Sequence, residues 1–362
     1  MTSGAFPFEA NPNPVDAADR AARLVDPGFG RVFTDHMVTI RYSDAKGWHD
    51  AKVGPRAPLT LDPATAVLHY AQEIFEGLKA YRLADGSMAL IRPEQNARRF
   101  QRSAKRLAMP ELPEDMFLQA CKQLVQVDKD WFPPVDGGSI YLRPFMIASE
   151  VFLGVKPSAE YLFMVIASSA GNYFKSGAPA ISIWVSEQYT RAARGGTGAA
   201  KCGGNYAASL VAQSEAIREG CDQVVFLDAA EHRWVEELGG MNLFFLFDDG
   251  SLLTPPTDGT ILEGITRDSV LTLARAQGLA VREERYAMDQ WRADAESGRL
   301  VEVFACGTAA VITAVGTVKS TQGAFTIGAG GAGQMTQQIR TKLVDIQRGA
   351  AADTHGWVHR ID

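Results

Sequence analysis

The strongest constraint on this chain is a break between two strand-like runs. YLFMVIASSA (161–170) and ISIWVSE (181–187) are rich in β-branched and aromatic residues. Between them GNYFKSGAP (171–179) gathers glycine, asparagine, serine and proline, which punctuate regular structure rather than build it. Helix-like and strand-like patterns are mixed on both sides of the break. With 362 residues, and roughly 150 residues to a domain, the chain has length for two. The expectation is an α/β (mixed α+β) protein of two mixed domains joined by an interdomain loop. Residues 1–173 would form the smaller N-terminal domain with an extended arm, 174–189 the linker and entry to the second domain, and 190–362 the larger domain.

The local patterns fill in this frame. Residues 1–30 hold three prolines before Pro27 and read as the extended arm. MVTIRY (37–42) reads as a strand. Asp62 followed by Pro63 predicts a helix start running through AVLHYAQEIFEG. SMALIR (87–92) is a strand, and residues 93–110 an amphipathic basic helix stopped by Pro110. A helix over about 114–131 and a strand at 139–148 come next. In the second half a glycine-rich loop (194–204) leads into a helix over about 205–219. QVVFLDA (223–229) is a strand, and LFFLFDDGSLLTP reads as a hairpin turning at Asp249-Gly250. A helix over about 266–277, strands near 301–306 and 311–318, and a helix at 334–348 complete the pattern.

Composition excludes several classes. A 46% hydrophobic and 22% charged chain has the material for a core and is not a disordered one. With 36 Lys+Arg against 42 Asp+Glu the formal charge is -6, which disfavours a general nucleic-acid binder. No apolar run is long enough to span a membrane. The acidic N-terminal stretch resembles neither a secretory nor a mitochondrial signal. Cys121, Cys202, Cys221 and Cys306 are scattered without a CxxC or a His/Cys cluster, so no disulfide framework or metal site is expected, and a reducing cytoplasm is the default.

Two glycine clusters imitate phosphate loops. GGTGAAKC (195–202) puts Ala200 and Cys202 where a Walker motif needs glycine and Ser/Thr. GAGGAG (328–333) matches G-x-G-x-x-G literally, but only one helix and a polar tail come after it, so it reads as a turn before that helix.

Four features carry chemistry instead. Lys201 sits in AAKCGGNY, where small neighbours let a flat ligand approach; lysine is the usual carrier of a carbonyl cofactor as a Schiff base, although most lysines are simply solvated. Glu237, in WVEELGGMN, lies between a strand and a hairpin, where a buried carboxylate could keep a pyridinium protonated; otherwise it is a surface charge beside Glu236. Ile265 and Thr266 open a helix whose N–H groups suit a phosphate, or Thr266 merely caps it. Thr308, in ACGTAA, adds a hydroxyl or ordinary turn chemistry.

With these residues the chain resembles the branched-chain amino-acid aminotransferases, pyridoxal-phosphate enzymes of fold type IV. The resemblance rests on FTDHM (33–37), LHYAQEIFEGLKAY (68–81), RRFQRSAKRLAMP (98–110), YLRP (141–144), KCGGNY (201–206), ELGGMN (237–242), DGTILEGITRDS (258–269) and GTA (307–309), in order along nearly the whole chain. It implies a homodimer that moves the amino group of leucine, isoleucine or valine to 2-oxoglutarate by a ping-pong route through pyridoxamine phosphate. Residues 190–362 would then be the cofactor domain.

Residue by residue, the resemblance implies that Lys201 carries pyridoxal 5'-phosphate and shuttles the proton. Glu237 would pair with the pyridine nitrogen and Tyr206 with the 3′ oxygen. Arg99, Ile265, Thr266 and Thr308 would hold the phosphate. Phe29, Phe75, Tyr141 and Tyr173 match the walls of an apolar substrate pocket, and Tyr70 and Val155 match residues lent by a partner subunit. Arg143 would take the γ-carboxylate of glutamate, and the Thr308–Ala309 backbone the α-carboxylate. Gly240 stands where some relatives carry a threonine facing substrate, and AAVITA (309–314) where some carry a redox CxxC, so no thiol switch is expected. Two competitors stay open: another fold type IV enzyme (a D-amino-acid transaminase or an aminodeoxychorismate lyase), and a nucleotide-binding protein using GAGGAG.

Overall fold

The structure, a computed structural model, describes residues 4–135, 137–171 and 180–361. Tyr173, expected at the substrate pocket, lies outside them. The chain divides into two compact units. One comprises Met1–Tyr173, Ala200–Gly203 and Ile346–Asp362; the other comprises Phe174–Ala199 and Gly204–Asp345.

In the first unit the arm is not wholly extended. Helix α1 (Ala17–Arg23) forms there because the Asp16 side chain accepts from the N–H groups of Ala18 and Asp19, capping two donors a helix start leaves open. Strands β1 (Val32–Ser43) and β2 (Gly47–Pro55) make an antiparallel pair. The helix expected from Asp62 is reduced to one turn, α2 (Val67–Tyr70), which ends at Ala71 in the left-handed region (φ 48°). The rest of the expected helix is replaced by strand β3 (Glu73–Phe75). The partners of β3 are remote: Phe75 lies opposite Phe145, and the Phe75 N–H donates to the Lys201 carbonyl at 2.9 Å. Tertiary pairing thus overrides the local helical pattern.

Strands β4 (Leu78–Arg82) and β5 (Met88–Ile91) lead to α3 (Pro93–Arg106), which begins with proline in its first turn, where a missing N–H costs nothing. Helix α4 (Glu114–Val127), β6 (Ser139–Ala148) and β7 (Glu160–Ala170) come after it. The sheet order is β5-β4-β6-β7-β1-β2, with β3 also on β6. Ile140, Leu142 and Met146 of β6 are fully buried in the core that includes Phe100 of α3, Phe117 of α4 and Phe163 of β7. The Phe100 and Phe163 rings meet edge-on at 5.5 Å. By strand alternation Tyr141, Arg143 and Phe145 occupy the opposite face, only partly buried.

The second unit opens with β8 (Ile181–Ser186), parallel to β9 (Gln223–Leu227) across α5 (Gly203–Arg218). Strands β10 (Val235–Leu238), β11 (Asn242–Phe247) and β12 (Ser251–Thr254) are next, the last two forming the expected hairpin. Helix α6 (Ile265–Ala276), β13 (Ala280–Glu283), α7 (Met288–Glu296), β14 (Leu300–Gly307), β15 (Val311–Ser320) and β16 (Gly323–Thr326) complete it. The sheet order is β10-β9-β8-β15-β14-β11-β12-β13, with β16 on β15. Phe245 and Trp291 anchor its core at 4.9 Å, both with no exposed surface.

The GAGGAG segment is a turn before α8 (Gln334–Gln347). Gly328 (φ 50°) and Gly330 (φ 79°) are left-handed, and a Cβ on Gly333 would overlap the Glu302 side chain. The Glu302 carboxylate accepts from the N–H groups of Met335 and Thr336 at 3.0 and 2.8 Å. The protein's own anion therefore occupies that helix start, and the segment has no need of a phosphate. The chain ends in the first unit, where β17 (Val358–Ile361) extends the sheet beyond β5, a strand the sequence patterns did not show.

Candidate active site

In the first unit the expected residues gather around α3, β3 and β6. Helix α3 buries two adjacent stripes, apolar Ala97, Phe100 and Ala104 and polar Asn96, Arg99 and Ser103. The polar stripe, at helical i+3 and i+4 spacing, builds the site. Arg99 forks onto Glu76, with Nε to Oε1 at 2.7 Å and Nη2 to Oε2 at 2.8 Å. Asn96 Nδ2 adds a third donor to Glu76 at 2.7 Å. Glu76 is wholly buried and Arg99 is 4% exposed. Burial pushes the Glu76 carboxyl up, but Arg99, Lys201 and Asn96 outweigh it and hold the group below the usual carboxylate range.

Ser103 fixes the lysine. Its Oγ accepts the Lys201 backbone N–H at 2.9 Å, while the Lys201 carbonyl accepts from Phe75 at 2.9 Å. Two residues on, the Gly203 N–H donates to the Glu73 carboxylate. The segment carrying Lys201 is thus tied to α3 and β3 at three points. Lys201 Nζ lies 4.8 Å from the Phe75 ring centroid, and the Arg143 guanidinium lies 4.8 Å from the same ring. Arg143 Nη2 donates to the Tyr141 hydroxyl at 3.1 Å, and Phe29 meets the Tyr141 ring at 4.8 Å. Gly77 is required beneath Tyr141, because a Cβ there would overlap the hydroxyl. Lys201, Arg99, Phe29, Phe75, Tyr141 and Arg143 are therefore joined through one network. Tyr70 and Val155 are exposed at the surface, by 38% and 93%.

In the second unit the centre is Glu237 on β10, 3% exposed. Arg191 approaches its Oε1 at 2.6 Å, the Leu262 N–H donates to Oε1 at 3.0 Å, and Asn242 Nδ2 donates to Oε2 at 3.2 Å. Arg191 is itself buried and donates to the carbonyls of Thr260 and Gly198. Asn242 also donates to the Leu262 carbonyl at 3.1 Å, and Gly264 is required beside it, since a Cβ there would overlap Asn242 Oδ1. Gly264 is the N-cap of α6, so Ile265 and Thr266 lie in the first turn of a helix whose cap has no side chain. Tyr206 sits in the first turn of α5, and a Cβ on Gly240 would come 3.6 Å from its ring. Thr308 and Ala309 lie in the turn between β14 and β15, whose Gly307 packs against Met241 and the Gly240 carbonyl.

Glu236 is not a surface charge. It is 6% exposed, its Oε2 has no hydrogen-bond partner among the described residues, and burial pushes its carboxyl up to about 7. It lines a cleft of about 390 Å³ with Trp234, Pro255 and Arg285, which none of the expected site residues lines. All four cysteines are buried and unbridged. Among the described residues there is no cluster of metal-ligating side chains and no helix long and apolar enough to cross a membrane.

The supporting residues Glu73, Glu76, Asn96, Ser103, Arg191 and Asn242 were not singled out from sequence. For Asn96, Arg99 and Ser103 the helical spacing was a usable signal. Arg191 had none, because its partner Glu237 lies beyond α5 and β9 in the chain.

Residues 73–318 match the family model for amino-transferase class IV. The probable branched-chain-amino-acid aminotransferase of Streptomyces coelicolor is 58% identical over 362 residues, 100% of both chains. Among solved structures, the branched-chain amino acid aminotransferase of Escherichia coli shares 31% identity at TM-score 0.71, covering 84% of this chain and 94% of that one. The branched-chain amino acid aminotransferase of Thermobaculum terrenum, solved in its PLP-form, shares 26% identity at TM-score 0.71, covering 89% and 98%. The family match and the fold thus define a class IV aminotransferase of fold type IV. Within that class, the chain belongs to the branched-chain amino-acid aminotransferase family.

Proposed function

We propose that this protein transfers the amino group of L-leucine, L-isoleucine or L-valine to 2-oxoglutarate, with pyridoxal 5'-phosphate as cofactor, as a cytoplasmic homodimer. The observation that carries the reading is Lys201, tied by its backbone to Ser103 and Phe75 with its amine beside an aromatic ring. The donor set fits the cofactor. A buried carboxylate on three donors, as Glu237 is, suits a protonated ring nitrogen. A glycine-capped helix start and a buried arginine suit a phosphate.

When bound, the cofactor supplies an electron sink conjugated to the substrate's α-carbon. Lys201 would hold the cofactor by its carbonyl carbon, and its Nζ would be the base that moves the proton between the substrate's α-carbon and that carbonyl carbon. Glu237 keeps the ring nitrogen protonated, with Arg191 and Asn242 fixing its carboxylate, and Tyr206 donates to the ring oxygen. Arg99, Ile265, Thr266 and Thr308 hold the phosphate. Phe29, Phe75, Tyr141 and Gly240 would border an apolar side chain, and the Thr308–Ala309 backbone would take the α-carboxylate. Arg143 takes the γ-carboxylate of glutamate. The exposure of Tyr70 and Val155 suits residues lent to a partner subunit.

The test is stereospecific transamination with 2-oxoglutarate as acceptor. L-leucine should be a donor and D-alanine should not; the reverse result would assign a D-amino-acid transaminase and overturn the reading.

A further inference from the structure

Two cations flank one ring in the first unit. Arg143 and Lys201 each stand 4.8 Å from the Phe75 centroid, and the buried Arg143 Nε has no hydrogen-bond partner among the described residues. A guanidinium placed this way suits the carboxylate of glutamate but not the side chain of leucine, which would strip water from an uncompensated charge. One site that accepts both substrates needs an anion close enough to balance Arg143 and far enough away to leave it a donor.

Glu73 stands in that place. On β3 it is two residues from Phe75 and so on the same face of the sheet, with Glu73 opposite Ile147 and Phe75 opposite Phe145 on the strand that carries Arg143. Its carboxylate is held by the Gly203 N–H rather than by a direct bond to the guanidinium. Burial pushes the Glu73 carboxyl above its usual range, while the Gly203 N–H and the charge of Arg143 pull the other way. Glu76, the other carboxylate in this region, is taken up by Arg99 and Asn96.

We propose that Glu73 is a specificity-determining residue, whose carboxylate balances Arg143 when the site holds an apolar side chain and yields to the γ-carboxylate when it holds glutamate. The inference rests on the proposed role of Arg143. Glu73→Gln removes the balancing charge and keeps the shape and the acceptor for Gly203. It should tighten a dicarboxylate and weaken an apolar monocarboxylate, each by roughly threefold to tenfold for a unit charge whose strand partner Ile147 lies four residues along β6 from Arg143. Glu73→Asp keeps the charge and should stay near the wild-type ratio.

The experiment measures dissociation constants of glutarate and 4-methylvalerate on the full-length, cofactor-loaded protein by calorimetry, for wild type, Glu73→Gln and Glu73→Asp, with KM values for L-glutamate and L-leucine beside them. The expected result is a shift in opposite directions for the two ligands in Glu73→Gln alone. Both constants moving together, or only kcat falling, would reduce Glu73 to a support for the Lys201 segment and overturn the proposal. A wild type that binds neither ligand would instead sink the underlying reading, and the balance with it.

Discussion

Arg99→Met tests whether the pair behind the proposed phosphate grip is energetically what its geometry says. Glu76 accepts from Arg99 twice, from Asn96, and from its neighbour Gly77 at 3.2 Å, with no surface exposed. The substitution keeps most of the side-chain volume but removes two of those four donors and the charge forked onto the carboxylate. Breaking a buried pair from one side costs about 3–5 kcal/mol, because the other charge is left uncompensated. With a urea slope of about 3 kcal/mol/M, the midpoint should fall by roughly 1–2 M. The protein should be stripped of cofactor, so that lost ligand binding does not add to the effect.

The pH dependence carries the sign. In the wild type the Glu76 carboxyl sits below its ordinary 4.5, so its pairing contributes stability above that value and loses it as pH falls through the folded-state value. In Arg99→Met burial is left as the leading influence, and the carboxyl rises and takes up a proton. The deficit should therefore be largest near neutral pH and shrink toward about pH 4–5. Adding Glu76→Gln to Arg99→Met should recover much of the loss, since a neutral amide no longer strands a charge. A single-variant cost below about 1 kcal/mol, a deficit independent of pH, or a double variant no better than the sum of the singles would refute the reasoning.

Further outcomes rest on the same geometry. Lys201→Ala should abolish turnover and the cofactor's visible band while far-ultraviolet circular dichroism stays unchanged; a fully active variant would remove Lys201 from the chemistry. Glu236, raised to about 7 in the folded protein, makes stability fall as pH rises from its ordinary 4.5 toward that value. Glu236→Gln should flatten that slope in urea titrations at about pH 5 and pH 8, and an unchanged slope would contradict the assignment. Gly77→Ala should raise KM for L-leucine by pushing the Tyr141 ring aside, whereas Gly240→Ala, with 3.6 Å to the Tyr206 ring, should bind cofactor with unchanged affinity. Equal behaviour of the two variants would refute the packing argument.

Much of the fold was legible in the sequence. The β6 strand was read to its final boundaries because SIYLRPFMIA is rich in β-branched and aromatic residues, and the β11–β12 hairpin because Asp249-Gly250 separates two β-rich runs. Glu73–Phe75 was read as helix because the groups that make it a strand, β6 and the Lys201 carbonyl, lie far along the chain. The expected site residues carried motifs, but their supports did not. Arg191 becomes meaningful only when β10 places Glu237 at 2.6 Å, and Glu236 only when folding leaves one of its oxygens unpartnered. Local pattern finds residues whose role is set by their neighbours in sequence. It misses those whose role is to hold another residue.

The most direct measurement of the central claim is the absorbance spectrum of the purified protein before and after adding L-leucine. The account predicts a visible band that collapses toward the near-ultraviolet with L-leucine and returns on adding 2-oxoglutarate. A band unmoved by L-leucine, or no band even after supplying pyridoxal phosphate, would contradict it.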